Sequence, residues 1–188
     1  IKPAHFPILM LLLVLPLPNC GFNERGRKPI ENHIIGVGNI ETDPTDTNYF
    51  FITNSNFNRV YKTGSLMSIY ATPTEARVVK SIELANLSNN LSIQSDGLSA
   101  LVVTSDQPIG TDKSFVQRVK ITSPSNFHLV TENHNAKADI YGLELPFDNA
   151  FHIYKKPGST TSYIANSLLA LKKDQSLDRF KQTIYKID

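Results

Sequence analysis

Short runs of β-forming residues, each too short for a helix, recur in this chain about every fifty positions, and this recurrence restricts the fold more than any other feature. Ile40-Glu41-Thr42-Asp43 precedes Tyr49-Phe50-Phe51-Ile52-Thr53. Ile93-Gln94-Ser95-Asp96-Gly97 precedes Ala100-Leu101-Val102-Val103-Thr104, and Leu145-Pro146-Phe147-Asp148-Asn149 precedes Ala150-Phe151-His152-Ile153-Tyr154. The aspartates at 43, 96 and 148 stand 53 and 52 residues apart. Asp-Gly and Asp-Asn tolerate positive φ, so between two apolar runs they signal a tight turn. The flanking runs are rich in branched and aromatic side chains, which suit a pleated, half-buried surface.

Each unit supplies four such runs. In the middle one, strands are expected at about 91–95 and 99–104, then in SFVQRVKITS and NFHLVTE. Alternation in the third run puts Phe115, Gln117, Val119 and Ile121 on one face and Val116, Arg118 and Lys120 on the other. The first unit offers a strand near Ile40, then NYFFITN, SLMSIYAT and RVVKSIEL. The last offers ADIYGLELP, AFHIYKK, TSYIANSLLAL and RFKQTIYKI, although the start of the segment after Leu168 also has a short-helix pattern. The unit boundaries are about 36–86, 87–138 and 139–188. Four antiparallel strands recurring at this period describe a propeller blade.

The middle stretch, SIELANLSNNLSIQSDGLSALVVTS, resembles the blade signature of surface-layer propellers with YVTN-type repeats. Asn90, Leu91, Ile93, Asp96, Gly97 and the run from Ala100 to Val103 occupy the signature positions. The resemblance covers about a quarter of the chain, and the absence of Trp disfavours a WD-type version. It implies an all-β fold of about three four-stranded antiparallel blades in a partial β-propeller, with a β-sandwich as the alternative. Closure normally takes at least four blades. Three leave two sheet faces bare, so the ring is expected to be completed by further chain or by self-association.

Ahead of this domain, Phe6 to Leu17 is entirely apolar or proline, preceded by Lys2 and His5. As a helix it would cover ~18 Å, against a bilayer core of about 30 Å. That is the size and order of a signal peptide, here residues 1–19. It ends Leu17-Pro18-Asn19-Cys20, and Cys20 is the single cysteine of the chain. The string resembles the lipobox of bacterial lipoproteins, in the relaxed form of spirochaetes, because Asn19 replaces the usual small residue. The resemblance implies diacylglycerol on the Cys20 thiol, palmitate-type acylation and attachment to the cell envelope, with plain secretion as the alternative. Residues 20–35, which begin CGFNERGRKPIENH, read as a polar, flexible tether.

No catalytic constellation accompanies these features. A formal net charge of +2, falling to +1 without Lys2, argues against nucleic-acid binding by bulk electrostatics. His5, His33, His128, His134 and His152 lack zinc-site spacing, and Asp43, Asp46 and Asp96 do not form a calcium loop. Neither a metal nor a cofactor is therefore expected. Gly36-x-Gly38 lacks the third glycine of a dinucleotide loop and is expected in a turn. Asn86 and Asn90 begin glycosylation sequons that read as turn residues. The expected function is non-catalytic: binding or scaffolding of an envelope protein, glycan or small ligand. The alternative is a fragment of a propeller enzyme of lactone hydrolase or dehydrogenase type.

Overall fold

The computed structural model describes residues 33–34, 36–56, 61–104, 114–136, 140–146, 150–156, 159, 161–166 and 184–187. These residues form fourteen strands, all paired antiparallel, and no helix. The fold is all-β, and the described residues close neither a barrel nor a ring of blades.

The first sheet is a four-strand meander of β1 (Val37–Thr42), β2 (Tyr49–Asn54), β3 (Gly64–Ala71) and β4 (Ala76–Leu84), in that order. The second repeats it with β5 (Ser88–Ile93), β6 (Ser99–Thr104), β7 (Phe115–Ser123) and β8 (Asn126–Leu129). Two short strands come next, β9 (His134–Asn135) and β10 (Ile140–Tyr141), paired with each other. After them, β11 (Leu143–Glu144) joins the second sheet, pairing with β7 at Val116 and Phe115 beyond the stretch taken by β8. The third sheet has three strands in order, β12 (Ala150–Lys155), β13 (Ser162–Asn166) and β14 (Ile184–Ile187).

The third unit therefore departs from the expected layout. Its opening strand was to lie in ADIYGLELP, but those residues enter β10 and β11 instead. Register identifies the strand that leads the third sheet. Each first pairing carries one bulge at the same place: between Val37 and Asn39, between Ser88 and Asn90, and between Ala150 and His152. So β12 is the counterpart of β1 and β5, and AFHIYKK is a first strand rather than a second. The physical reason is an insertion between the second and third units. Its residues find a vacant edge on β7, while the tight-turn signal at Asp148-Asn149 suggests a false alignment. Asp148 and Asn149 lie outside the described residues.

The alternation read for β7 holds. Phe115, Gln117, Val119 and Ile121 are buried on one face and Val116 on the other, while Arg118 and Lys120 reach solvent. Burial on both faces is what a middle layer requires. Between the first and second sheets, Phe51, Leu66 and Leu84 pack on Leu91, Ile93, Val102, Val119, Ile121 and Phe127. Between the second and third, Leu101, Val103 and Val116 pack on Ile164, Ile187, Ile153 and Tyr185. Each fully buried side chain of this size contributes about 1.5–3 kcal/mol, so the two interlayer clusters dominate cohesion.

The leading strands β1, β5 and β12 lie side by side, and neighbouring side chains satisfy backbone groups that no strand pairs. Asn39 Nδ2 donates to the Leu91 carbonyl at 3.1 Å, and the Ile93 N–H donates to Glu41 Oε2 at 2.8 Å. From the third sheet, Lys155 Nζ donates to the Ile93 carbonyl at 2.9 Å. The Ile153 N–H in turn donates to Asn90 Oδ1 at 3.3 Å. Ile93 is thus held from both sides, by an acid of one sheet and a base of another.

Candidate binding groove between the second and third sheets

The turn aspartates were expected to be structural, and the geometry around two of them is of that kind. Asp43 is buried, and its Oδ1 accepts from the Thr45 N–H at 2.7 Å and the Thr45 hydroxyl at 2.6 Å. Asp96 Oδ1 accepts from the Leu98 N–H at 2.8 Å, and the next residue, Gly97, has φ +68°, where a side chain would be strained. The two turns touch: a Cβ on Gly97 would lie 2.9 Å from Thr45 Cγ2. The turn after β12 presents Ser159 to the same cleft as Asp96, so the first turns of all three sheets gather at one end of the stack.

Between the second and third sheets this end opens into a cleft of about 370 Å³, lined by Gln94, Ser95, Asp96, Ser99, Leu101, Arg118, Ser159 and Ile187. A smaller hollow of about 130 Å³ adjoins it, lined by Val130, Glu132, Asn133, Gly142 and Leu143 and sharing Leu101, Arg118 and Ile187. Arg118 is the charged residue common to both, with Asp96 in one compartment and Glu132 in the other. Its guanidinium presents planar N–H donors, and three serine hydroxyls can donate or accept. Such a groove suits a small polar ligand bearing a carboxylate or neighbouring hydroxyls. Arg118 was not singled out from the sequence; the signal was a charge following Val116 on the face that the third sheet covers.

Glu41 sits at the junction of the leading strands. Burial raises its pKa above the ordinary 4.5, against the lowering effects of the Ile93 N–H and the Lys155 charge. A raised folded-state pKa means that the native protein holds this proton more tightly than the unfolded chain. Glu41 therefore supports stability below the unfolded value and withdraws that support as pH rises through the folded one. Glu41→Gln keeps an acceptor for the Ile93 N–H. It is expected to flatten the fall in stability that begins above about pH 4.5, measured by urea denaturation at a series of pH values; an unchanged slope would remove Glu41 as its cause.

Leu17, Pro18, Asn19 and Cys20 lie outside the described residues, as do Asp148 and Asn149. Gly38 is not in a turn but inside β1, at the bulge. Asn86 donates to the Lys62 carbonyl at 2.7 Å, and Asn90 joins the second sheet to the third. Among the described residues no group of three His, Cys, Asp or Glu is placed to hold a metal ion. Comparison with protein-family models, with curated proteins and with solved structures found no match.

Proposed function

We propose that this chain is a lipid-anchored protein of the bacterial cell envelope, whose body is a non-catalytic, propeller-like module that binds a small polar ligand or an envelope partner. The observation that carries the anchor is the position of Cys20, the single thiol, directly after a leader too short to span a bilayer. The chemistry fits the placement: one acyl chain gives only marginal attachment, at about 0.8 kcal/mol per buried CH₂, whereas two or three on one cysteine hold firmly. The polar tether after Cys20 would hold the strands clear of the lipid surface. The binding role is supported by the gathering of first turns at one end and by the groove around Arg118, a surface that needs no reactive group.

Metabolic labelling with palmitate tests the anchor. The natural chain should incorporate label and partition into detergent, and Cys20→Ser should lose both. Equal labelling of the two, or none in either, would overturn the reading.

A further inference from the structure

We propose that the outer face of the third sheet is a docking surface for the first sheet of a second copy of this chain. The two interlayer contacts inside the molecule obey one rule. The back of a leading strand seats on the front of the first two strands of the preceding sheet: β5 on β1 and β2, then β12 on β5 and β6. Their polar contacts correspond as well. Asn39 reaches the backbone of Leu91, and Asn90, at the same register position, reaches the backbone of Ile153, the counterpart of Leu91.

Applying the register once more identifies the next seat. Tyr163 matches Phe51 and Leu101, and Ile184 matches Leu66 and Val116. Those counterparts are covered by a following sheet: Phe51 and Leu66 are 0 % exposed, and Leu101 and Val116 at most 5 %. On the third sheet, Ile184 is 68 % exposed and Tyr154 62 %, in an apolar hollow shared with His152, Tyr163 and Ala165.

The occupant must bring a leading strand with an uncovered back. Among the described strands that one is β1. Its Ile40 occupies the position of Leu91, yet is 52 % exposed where Leu91 is 1 % exposed. Thr42, two residues on, is exposed as well. The centre of that face, Ile52 and Met67, is already buried, so the contact runs along β1 itself. Front-to-back contact between copies is heterologous, and it closes into a ring if the rotation allows. Leaving aside the two-stranded pair of β9 and β10, two copies bring six stacked sheets, within the range of four to eight found in propellers. The inference rests on the propeller-like reading of the stack and not on the anchor, so a single-copy chain and an unlabelled Cys20 are separate failures.

The test uses the full chain carrying Cys20→Ser, so that lipid does not hold copies together, with sedimentation velocity as the readout. The parent should sediment as two copies. Ile184→Asp and Ile40→Asp should each sediment as one, and an equimolar mixture should regain two-copy species, because it restores one intact contact. Far-UV circular dichroism checks the fold of both variants. If either is unfolded, Tyr154→Asp and Thr42→Asp at the same two faces replace the pair, with the same results expected. A single-copy parent, an Ile40→Asp variant that still pairs, or a mixture without recovery overturns the proposal.

Discussion

Phe127→Ala is expected to lower the unfolding free energy by about 3–5 kcal/mol. The ring is fully buried and meets Phe51 edge to face, centroids 5.5 Å apart at 76°. It also lies under Lys80 Nζ, 5.3 Å from the ring centre. Its strand, β8, is only four residues long and sits at the edge of the second sheet, where Phe127, with the partly buried Leu129 beside it, fastens it across the layer. Truncation removes the apolar contact and leaves a void between two sheets whose backbones are fixed by their own ladders and close poorly around it. With an m-value of about 2 kcal/mol/M, the urea midpoint should fall by about 2 M. A Phe127→Ala midpoint within about 0.3 M of the parent would mean that the first two sheets do not interlock through this ring.

Gly38→Ala should cost about 1–3 kcal/mol or more, although it adds a single methyl group. The added carbon would overlap the Ser88 carbonyl oxygen and lie 2.9 Å from Thr53 Oγ1 and 3.3 Å from Asn89 Cα. Two of those three atoms are backbone of the second sheet, so no side-chain rotation relieves the overlap. The relief available is to move β1 away from β5. That motion stretches the bond from Asn39 to the Leu91 carbonyl and then the one from the Ile93 N–H to Glu41. Loss of stability should therefore appear together with faster amide exchange at Ile93, whose N–H depends on Glu41. Unchanged exchange at Ile93 beside a lowered midpoint would place the damage elsewhere.

Much of the fold was legible in the residues. Period-two alternation marked β7 and divided its side chains correctly between its two faces, because successive side chains of a strand point to opposite sides. In the first two units, the four expected runs are the four strands of each sheet, taken in chain order, as consecutive elements usually lie side by side. The third unit was misaligned because turn signals are local. Asp-Asn before an apolar run looks the same whether it joins two strands of a sheet or precedes the first. Only the shared bulges at Val37, Ser88 and Ala150 reveal which strand leads.

The candidate groove was less accessible still. Arg118 looks from the sequence like an outward charge on an alternating strand, and it is exposed. Its significance depends on the third sheet, which brings Ser159 and Ile187 to its side, and on the inserted segment, which brings Glu132 and Asn133 to the other. These groups are distant in sequence, and no spacing rule connects them.

By itself, the sequence determined that the body is built from antiparallel strands, because side-chain alternation and turn chemistry act within a few residues. It also placed the lone thiol shortly after an apolar run. The tertiary structure alone decided which sheets face one another, that one sheet edge would capture the inserted strand, and where polar groups converge. Those outcomes depend on packing between surfaces and on unpaired backbone edges, which arise only once separate stretches of chain have come together.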